Sequence, residues 1–402
     1  MTDTVIVIPT YWTWGSDRPD GPDEAIFDHP TPVDSEGTLP RLLKSLCQVT
    51  EGPRRKVRRR PLFTVLVLTA TVHPALAQAA ERRVTDIIAP FREGFPIVQF
   101  TTGDLAVLQR HMRDLRYSKL VPLFSLRSYP GVRNCQLVVP HVWGAEVVIA
   151  LDDDEVVAPD YLQTALHFVG REHGGEQMLG LAGPYLDANG NMLLPERPRT
   201  GNIFLDKSAI INEGIRTLQS APGRLVGTPV AFGGNMVLHR DLFTRIGFDP
   251  GIARGEDIDY LINARLQGHN FWFDKELAIT HLPPKAYQSS PYSKLCQDVV
   301  RFIYEREKLK QAGVDPAQFA PYPGRFLRDD LETHALAALQ RTATPADAAQ
   351  MGSPEEIVAE AQRRVREASP CYFTFAEKWP RLLDSLGSDG FLRHYWQAKF
   401  KG

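Results

Sequence analysis

The stretch VVIALDDDEVV at residues 147–157 constrains this chain more than any other. Five apolar residues run into three aspartates, a glutamate and two further valines. That pattern reads as a buried strand delivering carboxylates to the edge of a sheet, where open α/β sheets bind their ligands. Asp152 and Asp154 alternate along the turn and so can point the same way. Two carboxylates placed like this make a hard-oxygen site suited to Mg2+ or Mn2+, ions that keep positions open for phosphate oxygens. A solvated acidic turn is the plainer alternative.

At 402 residues and 43% hydrophobic content, the chain is long enough for one large α/β unit with an appendage. The net charge of −2 gives no overall pull toward nucleic acid or anionic membrane. No window approaches the roughly 20 apolar residues that span a bilayer, and LFTVLVLTATV is read as a core strand. Cys47, Cys135, Cys296 and Cys371 lack metal-ligand spacing, and the chain opens on the strand-like MTDTVIVIPTY. A reduced, cytoplasmic protein is the expectation.

Strands are predicted at 5–9, 62–69 and 96–100, with helices at 38–48, 75–91 and 104–115 between and after them. The aspartate-bearing strand is the fourth. This alternation implies βαβ units and a mainly parallel sheet with helices on both faces. Beyond it, short apolar runs separated by Gly, Pro and Asn read as mixed strands and loops lining a site. EDIDYLINARLQG (256–268) reads as a helix capped by Gly268, and FWFDKELAITHLPP as a strand ending in His281. From about 293 the pattern is helical, with a capping box at Ser353 and Glu356.

The order IVIPTY, Arg133-Asn134 before an apolar strand, LDDDEVV, FGGNMVLHR, RGEDIDYLINARLQG and THLPP resembles the GT-A glycosyltransferases, closest to family two, over roughly residues 1–285. The resemblance implies a GT-A fold over 1–290, with a nucleotide-binding half (1–150) and an acceptor and metal half (151–290); the helical extension at 291–402 lies outside it and is read from the sequence pattern. It implies transfer of a hexose from a UDP- or GDP-linked sugar to a hydroxyl on a glycan, a lipid-linked sugar or a small molecule. Asp152 and Asp154, with His281, would hold the metal, and Asp153 stands among them. Glu256 and Asp257 would serve the acceptor, with Asp257 as the base of an inverting reaction. Arg133 and Asn134 are expected near nucleotide or diphosphate, Gly233, Gly234 and Asn235 near the donor sugar, and Thr10 and Tyr11 near the nucleoside base. The second strand, LVLTATVHP, offers Thr69, Thr71 and His73 where the family commonly has a carboxylate, so Asp104 is expected to take that role. The QxxRW-like signature of processive synthases is absent.

Other readings stay open. A retaining transferase would share the metal site, and a protein that binds nucleotide sugar without turnover would share the fold. A nucleotidyltransferase should carry a Gly-rich phosphate loop after strand one, which IPTYWTWGS lacks. A haloacid-dehalogenase phosphatase places its DxD on the first strand. The run RRKVRRR at 54–60 is either a solvated loop or a peripheral contact with anionic lipid or an acidic glycan. The amphipathic C-terminal helices are expected to pack on the catalytic part or on a second subunit.

Overall fold

A computed structural model describes residues 3–15, 26–49, 61–284 and 291–399, so the basic run lies outside the described residues. Its centre is a sheet built on β1 (Thr4–Thr13), β2 (Thr64–Thr71), β3 (Ile97–Phe100) and β4 (Val147–Ala150). These four run parallel in the order β3-β2-β1-β4. β1 is buried along its length, with Val5 and Val7 packing into one core and Ile6 and Ile8 into the other. Burial on both faces explains why such strands read as continuous apolar runs instead of alternating ones.

Past β4 the sheet changes character. A short strand, β5 (Glu155–Val157), leaves it, and β6 (Gly180–Ala182), β7 (Met236–His239) and β8 (Trp272–Asp274) extend it. β7 sits antiparallel between β4 and β6, while β8 returns parallel to β6. β9 (Ile279–His281) pairs antiparallel with β5, which sets His281 opposite Glu155. The single strand expected over FWFDKELAITH is thus two strands in two sheets, divided by a turn at 275–278.

Helices α1 (Leu39–Leu46) and α2 (Ala77–Ile88) cover one face. On the other lie α3 (Thr102–Asp114) and α4 (Tyr129–Trp143). The apolar segment after Asn134, expected as a strand, is the body of α4. Nearly every residue of that helix is buried, so no polar face marks its period, and Gly144 closes it in the left-handed region at φ 86°.

α5 (Lys207–Ser220) and α6 (Glu256–Leu266) flank the mixed half of the sheet, and α7 (Pro291–Ala312) follows. α8 (Pro354–Ser388) starts at the expected capping box and packs on α4 and α7, and α9 (Gly390–Lys399) follows it. Tyr372, Phe375, Trp379 and Trp396 are buried against the rest of this chain, so the aromatic C-terminal segments are core. Among the described residues no helix is long and apolar enough to cross a membrane. The α/β class, the mainly parallel sheet covered on both faces, and the C-terminal helical region are as the sequence predicts.

Candidate active site

The chain leaves β4 at Leu151 and turns at once, placing three aspartates where the parallel strands end. Asp152, Asp153, Asp154 and His281 line one cavity of about 200 Å³, together with Tyr11, Tyr129 and Tyr185. Asp154 Oδ2 lies 3.1 Å from His281 Nε2, and the Leu282 amide donates to the Asp154 carbonyl at 2.8 Å. Asp153 turns aside to accept a hydrogen bond from Thr38 at 3.2 Å. Asp152 and Asp154 therefore share the cleft as their alternation predicts, with His281 beside Asp154.

A second cavity, of about 260 Å³, shares Asp28, Tyr129, Asp152 and Tyr185 with the first and extends past Glu256 and Asp257. Between the two acidic groups lies Arg133, 3% exposed. Its guanidinium donates to Asp152 Oδ1 at 3.0 Å, to Glu256 Oε1 at 3.1 Å and to Gln136 Oε1 at 3.2 Å. Arg133 lines the second cavity and is also a buried clamp joining the carboxylates at the end of β4 to the first turn of α6.

α6 begins at Gly255, whose φ of 76° is left-handed. The Gly233 amide donates to Asp257 Oδ2 at 2.9 Å and the Ile258 amide to Asp257 Oδ1 at 2.8 Å. Asp257 is thus held in place while still lining the cavity, whereas Glu256 is buried against Arg133. Burial pushes Glu256 up to about 7, with Arg133 opposing and Asp257 adding to the rise. Burial likewise raises Asp152, against the pull of Arg133, and raises Asp153 and Glu155 further.

The glycines after Phe232 serve the acids. A Cβ on Gly234 would fall 1.8 Å from Glu155 Oε1 and 2.9 Å from Asp152 Oδ2, and one on Gly233 would fall 2.6 Å from Arg133 Nη2. Asn235 is fully buried, spanning Pro184 and Leu277 carbonyls and the Tyr161 hydroxyl. Asn134 is likewise internal, bonded to both backbone groups of Phe248 and to the Leu123 carbonyl. The Thr10 hydroxyl is buried between the Leu68 carbonyl and Trp12 Nε1. Tyr11 does face the cleft, its ring 4.3 Å from that of Phe27 and 5.3 Å from that of Tyr129. Asp104 lies elsewhere. It caps α3 through Thr101 and is bonded by Tyr395 and Lys399 of α9, with 1% of its surface exposed.

Sequence reading missed Glu155 and Tyr185. Glu155 is fully buried, holds the Asp152 amide at 3.0 Å, and leaves Oε1 without a hydrogen-bond partner. It stands in the motif itself, directly after Asp154. Missed as well were Asp28, Lys207, Arg254, Arg301 and Tyr322, which complete the second cavity from separate parts of the chain.

Among the described residues no three His, Cys, Asp or Glu side chains are gathered as a ready-made metal site. The chemistry of the donor set nonetheless fits a hard divalent ion, since carboxylates crowd one cleft with an imidazole beside them and a buried Glu155 oxygen unpartnered behind them.

No protein-family model and no curated protein sequence matches the chain. Solved structures that it resembles include a mannosyltransferase from Pyrobaculum calidifontis in complex with GDP-Man and Mn2+, with a TM-score of 0.43, 14% identity, and coverage of 96% of this chain and 86% of that one. GalNAc-T7 with UDP, GalNAc and Mn2+ gives 0.42 and 13%, covering 91% of this chain but 58% of that one. A mycobacterial protein gives 0.37 and 14%, covering 77% and 75% respectively.

Proposed function

We propose that this chain is a metal-dependent glycosyltransferase that moves a hexose from a nucleoside-diphosphate sugar to a hydroxyl acceptor with inversion, using Asp257 as the base. The observation that carries this reading is a pair of adjoining cavities that share Asp152, with Asp154 in one and the pinned Asp257 in the other, held in register by buried Arg133. On this reading residues 1–150 furnish the nucleotide wall, with Tyr11 and Tyr129 as its aromatic surface, and residues 151–290 furnish the metal and acceptor walls.

Asp152, Asp154 and His281 would hold Mn2+ or Mg2+, and the ion would supply charge stabilisation to the departing diphosphate. The rest falls to the chain. Arg133 fixes the orientation of Asp152 and keeps the Glu256 side of α6 in register with it. The amides of Gly233 and Ile258 hold both oxygens of Asp257, so the carboxylate faces the cleft without having to find its rotamer during the reaction. An acceptor hydroxyl is a poor nucleophile, and Asp257 is the accessible group able to take its proton. Glu256, paired with Arg133 at 3.1 Å and mostly buried beside Asp257, supports that geometry.

The reading is tested by thermal stabilisation with UDP, GDP, CMP and dTDP and their common sugars, in Mn2+ and again in EDTA. A metal-dependent shift with one nucleotide is expected, and no shift with any of them would set the reading aside. Asp257→Asn should leave that shift in place and lower transfer by roughly 10² to 10⁴, the usual worth of a general base. Asp154→Ala should remove the Mn2+-dependent part of the shift. Unchanged nucleotide affinity in Mn2+ would take Asp154 out of the metal site.

A further inference from the structure

The wall of the second cavity beyond Asp257 is basic. Lys207 on α5, Arg254 before α6 and Arg301 on α7 all line it. Lys207 Nζ lies 2.5 Å from Asp298 Oδ2, and Arg254 reaches the other oxygen of Asp298 at 3.3 Å and Asp28 at 3.2 Å. Asp28 also meets Lys294 at 3.2 Å. Arg301, 4% exposed, donates to the Tyr322 hydroxyl at 2.5 Å, while its Nε makes no hydrogen bond.

The carboxylate beside Arg301 is Glu305, 3.4 Å away and fully buried. Burial pushes Glu305 up to about 8, against the pull of Arg301. Lys207, Arg254 and Lys294 are paired with Asp28 and Asp298, while among the described residues Arg301 has only Glu305 at 3.4 Å as an ion-pair partner and keeps an Nε without a hydrogen bond. The pKa of Lys207 is lowered by burial, with Asp298 opposing and Arg301 and Arg254 adding to the fall. Room for Arg301 is built in. A Cβ on Gly255 would fall 1.6 Å from Arg301 Nη1, so only glycine lets the guanidinium lie against the turn that carries Glu256 and Asp257.

Like charges gathered on one wall repel, least screened at buried Arg301 and partly screened at half-buried Lys207 and Arg254, and an incoming anion relieves that repulsion through charge-assisted hydrogen bonds. We propose that this wall binds an anionic group, a phosphate or a carboxylate, carried by the acceptor whose hydroxyl is presented to Asp257. The inference rests on the reading of the Asp257 side as the acceptor side. It makes the acceptor a phosphorylated or acidic hydroxy compound instead of a neutral sugar.

The test is binding by the full-length chain of a hexose 6-phosphate, a hexuronic acid and the parent hexose, each alone and with saturating nucleoside diphosphate and Mn2+. At least one anion should bind about tenfold or more tightly than the neutral hexose, and the tighter of the two names the group. Nucleotide should not displace it. Lys207→Gln should weaken the anion about tenfold with nucleotide affinity unchanged, and Lys207→Arg should restore it. Competition between nucleoside diphosphate and the hexose phosphate would overturn the proposal, because the wall would then belong to the donor. Equal binding of hexose and its anionic forms, or indifference to Lys207→Gln in a protein that still binds nucleotide, would overturn it too. Loss of all nucleotide binding with the anion response intact would instead strike the glycosyl-transfer reading and leave the basic wall standing.

Discussion

Gly234 shows how tightly single positions are set in this site. It carries no unusual backbone angle, yet a methyl group there would overlap Glu155 Oε1 and press on Asp152 Oδ2. Glu155 is bonded to the Asp152 amide and has nowhere to retreat in a buried setting. Gly234→Ala should therefore destabilise the fold by about 1–3 kcal/mol, the usual cost of overpacking, and reduce the Mn2+-dependent response to nucleotide. Thermal unfolding with and without nucleotide reads both effects. Asp152 and Asp154 stood out by local pattern at a strand end, whereas Asp257 at a helix start was singled out through the order of motifs that resembles the GT-A enzymes. The need for glycine at 234 was legible only as a position suited to close approach, since what approaches, Glu155, depends on how β5 and β7 meet. Arg133 was singled out by its neighbourhood, but its pairing with Asp152 and Glu256 was not legible, because they lie 19 and 123 residues away.

At the scale of elements, α7 joins the C-terminal region to α6 through a buried ion cluster. Lys308, fully buried, reaches Asp249 Oδ2 at 3.0 Å, Asn263 Oδ1 at 2.8 Å, and Asp259. Lys308→Met should cost about 3–5 kcal/mol, because it leaves Asp249 and Asp259 buried without a cation. Chemical denaturation is the measurement, and a loss under 1 kcal/mol would show that water or a shifted side chain replaces the ammonium. Helix α7 itself was readable from DVVRFIYEREKL, but its partner was not. α4 shows the opposite case. Its partners are many and its period invisible, since a helix buried all round has no polar stripe to announce it. β1, β2 and β4 were plain for the same physical reason that α4 was not: a short apolar run with β-branched residues fits a buried strand, and a longer one fits either.

For the molecule as a whole, buried carboxylates tie stability to pH. Glu305 rises from 4.5 to about 8, driven by burial and by Asp259 and Asp298, with Arg301 and Lys308 opposing. A folded-state pKa above the unfolded one means that this group favours folding fully below 4.5 and that the contribution is lost as pH climbs through 8. The protein should become less heat-stable between pH 5 and 9, and Glu305→Gln, which cannot ionise, should show a shallower decline. Parallel declines in the two proteins would mean that Glu305 does not titrate in this range. The cluster around Lys308 also bears on how the chain is made. Asp249 and Asp259 emerge from the ribosome some fifty residues before Lys308 does, together with the face of α4 that α8 will later cover. Until translation passes that lysine, the nascent sheet holds two acids with no cation and an open apolar surface. A stop codon placed after residue 290 should therefore yield a product that aggregates or is held by chaperones, even though every strand of the sheet has been synthesised.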